Sequence, residues 1–269
     1  MNTIELPKIG LGTMFANSEK AKEGLIKALQ IGFRFIDTAQ IYFNEKTVGM
    51  AIKESGISRD DLTIATKLWI SNFKPSKVIK STVKSLERLG LDHVDLLYLH
   101  WPFKFQNVEA TFKEMNKLIK MDKIKHIAVS NYTPELIDKA LSLCESPIIA
   151  NQIEMHPWLQ QKELLLHHKS KNVKVVAYYP IMHGQIRKVP EILQVAAKHK
   201  VSPYQVSLAW IMEKEAIPIP KSVTESHLQD NFNSINLKLE KNDIELIDSI
   251  TIQKRLVKPS FISPKGWKK

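Results

Sequence analysis

The runs VDLLYLH at 94–100, IKHIAVS at 124–130, IIANQI at 148–153 and VKVVAYY at 173–179 decide the fold. Each is short and nearly all apolar, as a strand buried on both faces must be. Working outward, the same pattern recurs as IGLGT at 9–13, FRFIDT at 33–38, LTIATKL at 62–68 and AIPIP at 216–220. Amphipathic helices fill the intervals. Residues 18–31 put Leu25, Ile26 and Leu29 on one face, and residues 75–89 repeat Val78, Val83, Leu86 and Leu89 before stopping at Gly90. Thr133-Pro134-Glu135 and Ser202-Pro203 read as helix starts, a capping residue followed by proline at the first helical position. The repeat is roughly thirty residues, one strand-plus-helix unit. Eight units predict an α/β fold, a closed (β/α)8 TIM barrel. Extra helices are expected after strand 7, where 189–199 and 202–214 both pattern as helix, and after strand 8, near 224–235 and 240–250. No Gly- or Ser-rich linker interrupts residues 1–269, so a single domain is expected. The competing fold, an open doubly wound sheet, lacks its G-x-G-x-x-G after any strand.

Composition narrows the function. With 43% hydrophobic and 25% charged residues, the 269-residue chain is that of a folded globular protein. A single cysteine, Cys144, excludes an intramolecular disulfide framework and any multi-cysteine metal site, and fits a reducing compartment. No apolar run approaches the ~18 residues that span a bilayer. MNTIELPKIGLGTMF at the start lacks the basic and apolar regions of a signal peptide, so a cytoplasmic location and no membrane partner are expected. The net charge of +11 raises nucleic acid as a partner. Yet only Arg34, Arg59, Arg88, Arg187 and Arg255 are arginines, and the lysines spread along the chain with no compact block beyond Lys265, Lys268 and Lys269. Arginine is the residue of bidentate base and phosphate contacts. The charge therefore reads as a solvated lysine surface, with no nucleic-acid partner. His167-His168 lack H-x-x-x-H spacing and read as helix-surface histidines, and no metal site is expected.

In a barrel, chemistry gathers where strands end. The polar residues there are Asp37, Lys67, His100, Ser130 with Asn131, Gln152, Tyr178 and Lys221, with Tyr42 just after the second strand. Each has a plain alternative. Asp37 could cap a turn, Ser130-Asn131 a helix, Gln152 could bond backbone, and His100 could be a core histidine. Lys67 is harder to explain away, because lysine seldom ends a buried strand without a partner. Together they suit proton delivery to a carbonyl oxygen. A phenol with a pKa near 10 is a poor acid at neutral pH. A neighbouring ammonium is expected to lower that pKa, a carboxylate to position the ammonium, and an imidazole to orient the carbonyl.

The segments FRFIDTAQIYFNEKTVGMAIKESG, TIATKLW, VDLLYLHWP, IAVSNY, NQIEMHP, VVAYYP and IPIPKSVTESHLQDN resemble, in order and spacing, the aldo-keto reductases. The resemblance covers nearly the whole chain. The short loop after His100 and the tail KRLVKPSFISPKGW look nearest to the short bacterial branch of that family. It implies NADPH-dependent reduction of small aldehydes and ketones (2-oxoaldehydes, diketo sugar acids, aromatic aldehydes) by a monomer. It also implies Tyr42 as general acid, Lys67 and Asp37 tuning it, and His100 orienting the substrate. Ser130, Asn131 and Gln152 would hold the nicotinamide carboxamide, and Tyr178 would stack on its ring. Lys221, Ser222, Val223 and Thr224 would form the loop at the adenosine 2′-phosphate, with Asp230 and Asn231 near the adenine. Gly12, Thr13, Tyr179 and Ile181 complete the expected cofactor contacts. Met14, Phe15, Trp69 and Trp101 join Tyr42 and His100 around the substrate.

The chain departs from the family pattern in places. His227 stands where K-S-V-T-x-x-R has arginine, which predicts weaker discrimination against NADH. Met14 replaces an aromatic, and Tyr179 replaces a frequent serine, which narrows or reshapes the wall beside the cofactor; the short segment 101–108 and the short C-terminal tail point to an open site for small carbonyl compounds. Two other readings stay open: a Schiff-base enzyme using Lys67, and a non-catalytic, redox-sensing nicotinamide-binding barrel subunit.

Overall fold

The computed structural model describes residues 5–103, 108–259 and 262–264. Eight strands follow one another: β1 (Leu11–Gly12), β2 (Phe35–Asp37), β3 (Thr63–Leu68), β4 (Val94–Leu99), β5 (Ile124–Ser130), β6 (Ile148–Glu154), β7 (Lys174–Tyr178) and β8 (Ala216–Pro218). They form one sheet in chain order, each neighbour parallel. Gly10 N–H donates to Pro218 O and Gly12 N–H to Pro220 O, both at 3.0 Å, and these bonds close the sheet into a barrel. The seam is one-sided for a chemical reason. Pro218 and Pro220 accept from β1 but have no N–H to return. Closure excludes the open doubly wound sheet.

The helices between the strands are α1 (Glu19–Ile31), α2 (Glu45–Glu54), α3 (Pro75–Leu89), α4 (Val108–Lys120), α5 (Pro134–Leu143), α6 (Lys162–Ser170), α7 (Pro190–His199) and α8 (Pro203–Glu213). After β8 come α9 (Glu225–Asn233) and α10 (Lys241–Asp248). The expected starts are real. Thr133 Oγ1 accepts from Leu136 N–H, and Ser202 Oγ from Gln205 N–H, with Pro134 and Pro203 next in line. Gly90 ends α3 at φ +64°, a left-handed position that suits glycine, and its N–H caps Leu86 O and Glu87 O. The doubled helices fall where expected. α8 and α9 continue the ring around to α1, while α7 and α10 pack on each other outside it.

Side-chain alternation divides the barrel into layers. Phe35, Ala65, Leu96, Tyr98, Ala128, Ala150, Val176 and Ile217 fill the interior, all 8% exposed or less. Burying one such large apolar side chain contributes ~1.5–3 kcal/mol. Two positions further along the same strands stand Asp37, Lys67, His100, Ser130, Gln152 and Tyr178. With a side-chain period of two, those residues lie on the interior face one layer higher. The barrel thus has an apolar floor and a polar upper layer. A register shift between β5 and β6 brings Ser130 opposite Gln152 in that layer.

One expectation is corrected. His168 is not a surface residue: it is fully buried, donating from Nδ1 to Leu164 O (2.9 Å) and paired through Nε2 with Asn151 Nδ2 (2.8 Å). The tail Lys265, Lys268 and Lys269, and residues 104–107 of the short segment 101–108, lie outside the described residues. Among the described residues, no helix is long and apolar enough to cross a membrane, and no cluster of three or more His, Cys, Asp or Glu could hold a metal ion.

Candidate active site

A cavity of about 380 Å³ opens at the carboxyl ends of the strands. Two larger grooves on the outer wall, about 650 and 730 Å³, hold none of the strand-end polar residues. At its base, Asp37 and Lys67 form an ion pair that is almost wholly removed from solvent. The second Asp37 oxygen accepts from Gln152 Nε2 at 2.7 Å. Lys67 Nζ also donates to Thr38 O at 3.0 Å and reaches the Tyr42 hydroxyl at 3.5 Å. Every donor direction of this ammonium is therefore used.

Tyr42 ends a single 3-10 turn, Gln40–Tyr42, directly beyond β2. Gln40 fixes that turn: its Oε1 accepts from Trp69 N–H and Asn72 Nδ2, each at 2.9 Å, and its Nε2 donates to Ser85 Oγ at 3.1 Å. His100 follows β4, 8% exposed, and its ring meets Tyr42 and Trp69 edge-on at 5.8 and 5.3 Å. Among the described residues, its Nδ1 has no hydrogen-bond partner.

The electrostatics correct one expectation. Burial raises the Tyr42 phenol above its ordinary pKa; Lys67 opposes this and the Asp37 carboxylate adds to it. The lysine therefore limits the rise without producing the expected net fall. Burial is the largest influence on Lys67 and works against its charge, but Asp37 and Tyr42 together outweigh it and hold the ammonium protonated. A Schiff-base lysine must be available as the free amine, so this arrangement argues against that chemistry. Burial, then the Lys67 charge, holds His100 well below the usual histidine range, leaving a neutral imidazole.

Beside these four, Asn131 takes a left-handed conformation (φ +68°). Its Nδ2 donates to His100 O and Ser130 Oγ, both at 3.0 Å, and its Oδ1 accepts from the Tyr178 hydroxyl at 2.9 Å. Ser130 Oγ donates to Gln152 O at 2.8 Å. The Tyr178 ring is thus tethered at its polar tip while it lines the cavity. Gly12, Thr13, Tyr179, Ile181 and Lys221 share that lining, as do all six expected substrate contacts: Met14, Phe15, Tyr42, Trp69, His100 and Trp101. Tyr179 stands edge-on to His183 and is hydrogen-bonded to it.

Ser222, Val223, Thr224, His227, Asp230 and Asn231 do not line the cavity; the first three lead into α9 and the others lie along it. Gly24 lets α1 approach that loop, since a Cβ there would lie 2.6 Å from Val223 O. The Thr224 side chain makes no bond to the first turn of α9, so its hydroxyl does not take up those N–H groups. Asp230 is engaged within the fold, accepting from Ser202 Oγ and Gln205 Nε2 at 2.6 Å each.

Several cavity residues escaped the sequence reading: Ile41, His183, Val257, Pro259 and Ile262. The last three belong to the C-terminal stretch, where no strand periodicity marks an inward face.

Fold and site together define a barrel of enzyme type, with a buried ion pair beneath a phenol and an imidazole at its mouth. The chain belongs to the aldo/keto reductase family, whose model matches residues 8–252. It is an oxidoreductase of that family, of the kind that reduces carbonyl groups. It is 37% identical to methylglyoxal reductase DkgB of Escherichia coli O157:H7, over 97% of this chain and 99% of that one. It is equally 37% identical to the glyoxal reductase of Bacillus subtilis (strain 168), over 95% and 92%. An aldo-keto reductase from a Medee basin deep-sea metagenome library superposes with a TM-score of 0.91 at 34% identity, covering 94% of each chain.

Proposed function

We propose that the protein reduces small aldehydes and ketones with NADPH, and that Tyr42 delivers the proton to the carbonyl oxygen. The observation that carries this reading is the Tyr42 hydroxyl held 3.5 Å from a buried, charge-paired Lys67 in the wall of a 380 Å³ cavity. A nicotinamide cofactor, when bound, supplies the hydride.

The residues present fit such a cofactor. Asn131, Ser130 and Gln152 form a cross-bonded polar group suited to a carboxamide, and the tethered Tyr178 ring offers a stacking face. At the far end, the first turn of α9 beside Lys221, Ser222 and Thr224 suits a phosphate. Asp230 and Asn231 sit further along α9, toward the proposed adenine.

Each catalytic side chain then has one task. Neutral His100 donates a hydrogen bond to the substrate oxygen and fixes its direction. Tyr42 transfers its proton to that oxygen. Lys67 steadies the phenolate left behind, and Asp37 holds Lys67 charged and in place. Met14, Phe15, Trp69 and Trp101 give the cavity an apolar wall against the carbonyl substituent. The names of the relatives, methylglyoxal reductase and glyoxal reductase, favour small 2-oxoaldehydes as substrates.

The test is a panel of methylglyoxal, 2,5-diketogluconate and aromatic aldehydes, assayed with NADPH and NADH. Carbonyl-dependent oxidation of NADPH, strongest with small aldehydes, is expected. Tight cofactor binding with no oxidation by any carbonyl would contradict the proposal and favour a non-catalytic, redox-sensing barrel.

A further inference from the structure

Glu154 closes β6 as a fully buried carboxylate that no step of the proposed reaction uses. A buried carboxylate is costly unless donors match its lone pairs. Three donors do. Oε1 accepts from Leu256 N–H at 2.5 Å and from His156 Nε2 at 2.9 Å, and Oε2 accepts from Val257 N–H at 2.9 Å. Two of these donors are backbone groups of the C-terminal stretch, more than a hundred positions away in the chain. That stretch, residues 251–259, has no helix or strand of its own. Lys254 N–H adds a bond to Trp158 O at 2.6 Å, so consecutive points of the stretch are pinned to β6 and the turn beyond it. Val257, Pro259 and Ile262 then line the same cavity as Tyr42, Trp69 and His100.

We propose that Glu154 is a positioning residue for substrate selection: by accepting the Leu256 and Val257 amides it holds the C-terminal stretch across the barrel mouth and sets the apolar wall against which the carbonyl substituent packs. The proposal rests on the reading that this cavity receives a carbonyl substrate. Charge-assisted bonds to backbone N–H are strong and directional. Glutamate can satisfy both amides and His156 at once. Glutamine cannot, since its own N–H2 would face a donor.

The test uses two variants of the full-length protein. Glu154→Gln keeps the shape and removes the charge. Val257→Pro removes one donor from the other side of the same bond. KM and kcat are measured for methylglyoxal and for a bulkier aromatic aldehyde, NADPH affinity is measured by fluorescence, and cleavage by trypsin after Lys254 and Arg255 is timed. In Glu154→Gln KM for the aromatic aldehyde should rise ~10-fold, the loss of about one charge-assisted hydrogen bond, with kcat and NADPH affinity little changed; Val257 itself lines the cavity, so for Val257→Pro the deciding readout is cleavage. Trypsin cleavage should accelerate in both variants by a similar ~10-fold factor. The trypsin measurement needs no turnover. If the wild type reduces no carbonyl, the assigned reaction fails, while faster cleavage still reports the strap. Unchanged cleavage in both variants, with KM unchanged in Glu154→Gln, would overturn the proposal. So would faster cleavage with KM untouched in Glu154→Gln, or a loss of activity that merely follows the loss of folded protein.

Discussion

Lys67 Nζ lies 3.5 Å from the Tyr42 hydroxyl and 5.0 Å from the centre of its ring, while its other bonds go to Asp37 and Thr38. This ammonium opposes the rise that burial imposes on the phenol. Lys67→Met should therefore move the Tyr42 pKa higher still. A weaker acid protonates the carbonyl oxygen more slowly, so kcat/KM should fall ~10²-fold or more. The alkaline limb of the pH–rate profile, where the acid is lost, should shift upward. Asp37 would also be left as a buried unpaired charge, at a cost of about 3–5 kcal/mol in stability. pH–rate profiles and urea melts check both. Wild-type kinetics in Lys67→Met would contradict the assignment.

The cofactor end offers a second prediction. His227 lies exposed on the first turn of α9, where its family resemblance leads one to expect arginine. An imidazole cannot form the two-pronged contact that a planar guanidinium makes with a phosphate. The wild type should therefore turn over with both NADPH and NADH, and His227→Arg should raise the NADPH-to-NADH ratio of kcat/KM ~10-fold. Steady-state kinetics with both cofactors decide it. A strong NADPH preference that survives His227→Ala would show that His227 is not the discriminating position.

His168 gives a prediction about stability and pH. Its Nδ1 faces Leu164 O and its Nε2 faces the Asn151 amide, so the buried ring is satisfied only when neutral. Burial, the largest cause, pushes its pKa down to about 4. The unfolded chain has the ordinary histidine value near 6.5, so between ~6.5 and 4 the unfolded state binds more protons. Stability should be full above pH ~6.5 and fall as pH drops toward 4, by an amount on the order of 3 kcal/mol. The stability gap between wild type and His168→Gln should narrow over that window. A gap independent of pH in denaturant melts would contradict this account.

Much of this was legible in the sequence because buried parallel strands write themselves as apolar runs. LTIATKL and VDLLYLH appear as strands 63–68 and 94–99, and Thr133-Pro134 and Ser202-Pro203 as helix starts. The polar residue ending each run was visible against its apolar neighbours; these residues line the cavity, except Lys67, which lies buried behind it, paired with Asp37. Other features depend on three-dimensional surroundings. The sequence places Lys67 near Tyr42 but does not show how far burial outweighs its charge. His168 patterned with a polar helix face, yet Asn151 reaches it from behind β6. Val257, Pro259 and Ile262 come to the mouth through bonds to Glu154, which no local pattern announces.

The central claim, that Tyr42 supplies the proton to a carbonyl reduced by NADPH, is tested most directly by Tyr42→Phe. The measurement is kcat/KM for methylglyoxal with NADPH, alongside NADPH affinity from fluorescence quenching. The account predicts that kcat/KM collapses by ~10²–10⁴-fold, the range of a lost general acid, while NADPH binds as in the wild type. Reduction at the wild-type rate by Tyr42→Phe would contradict it.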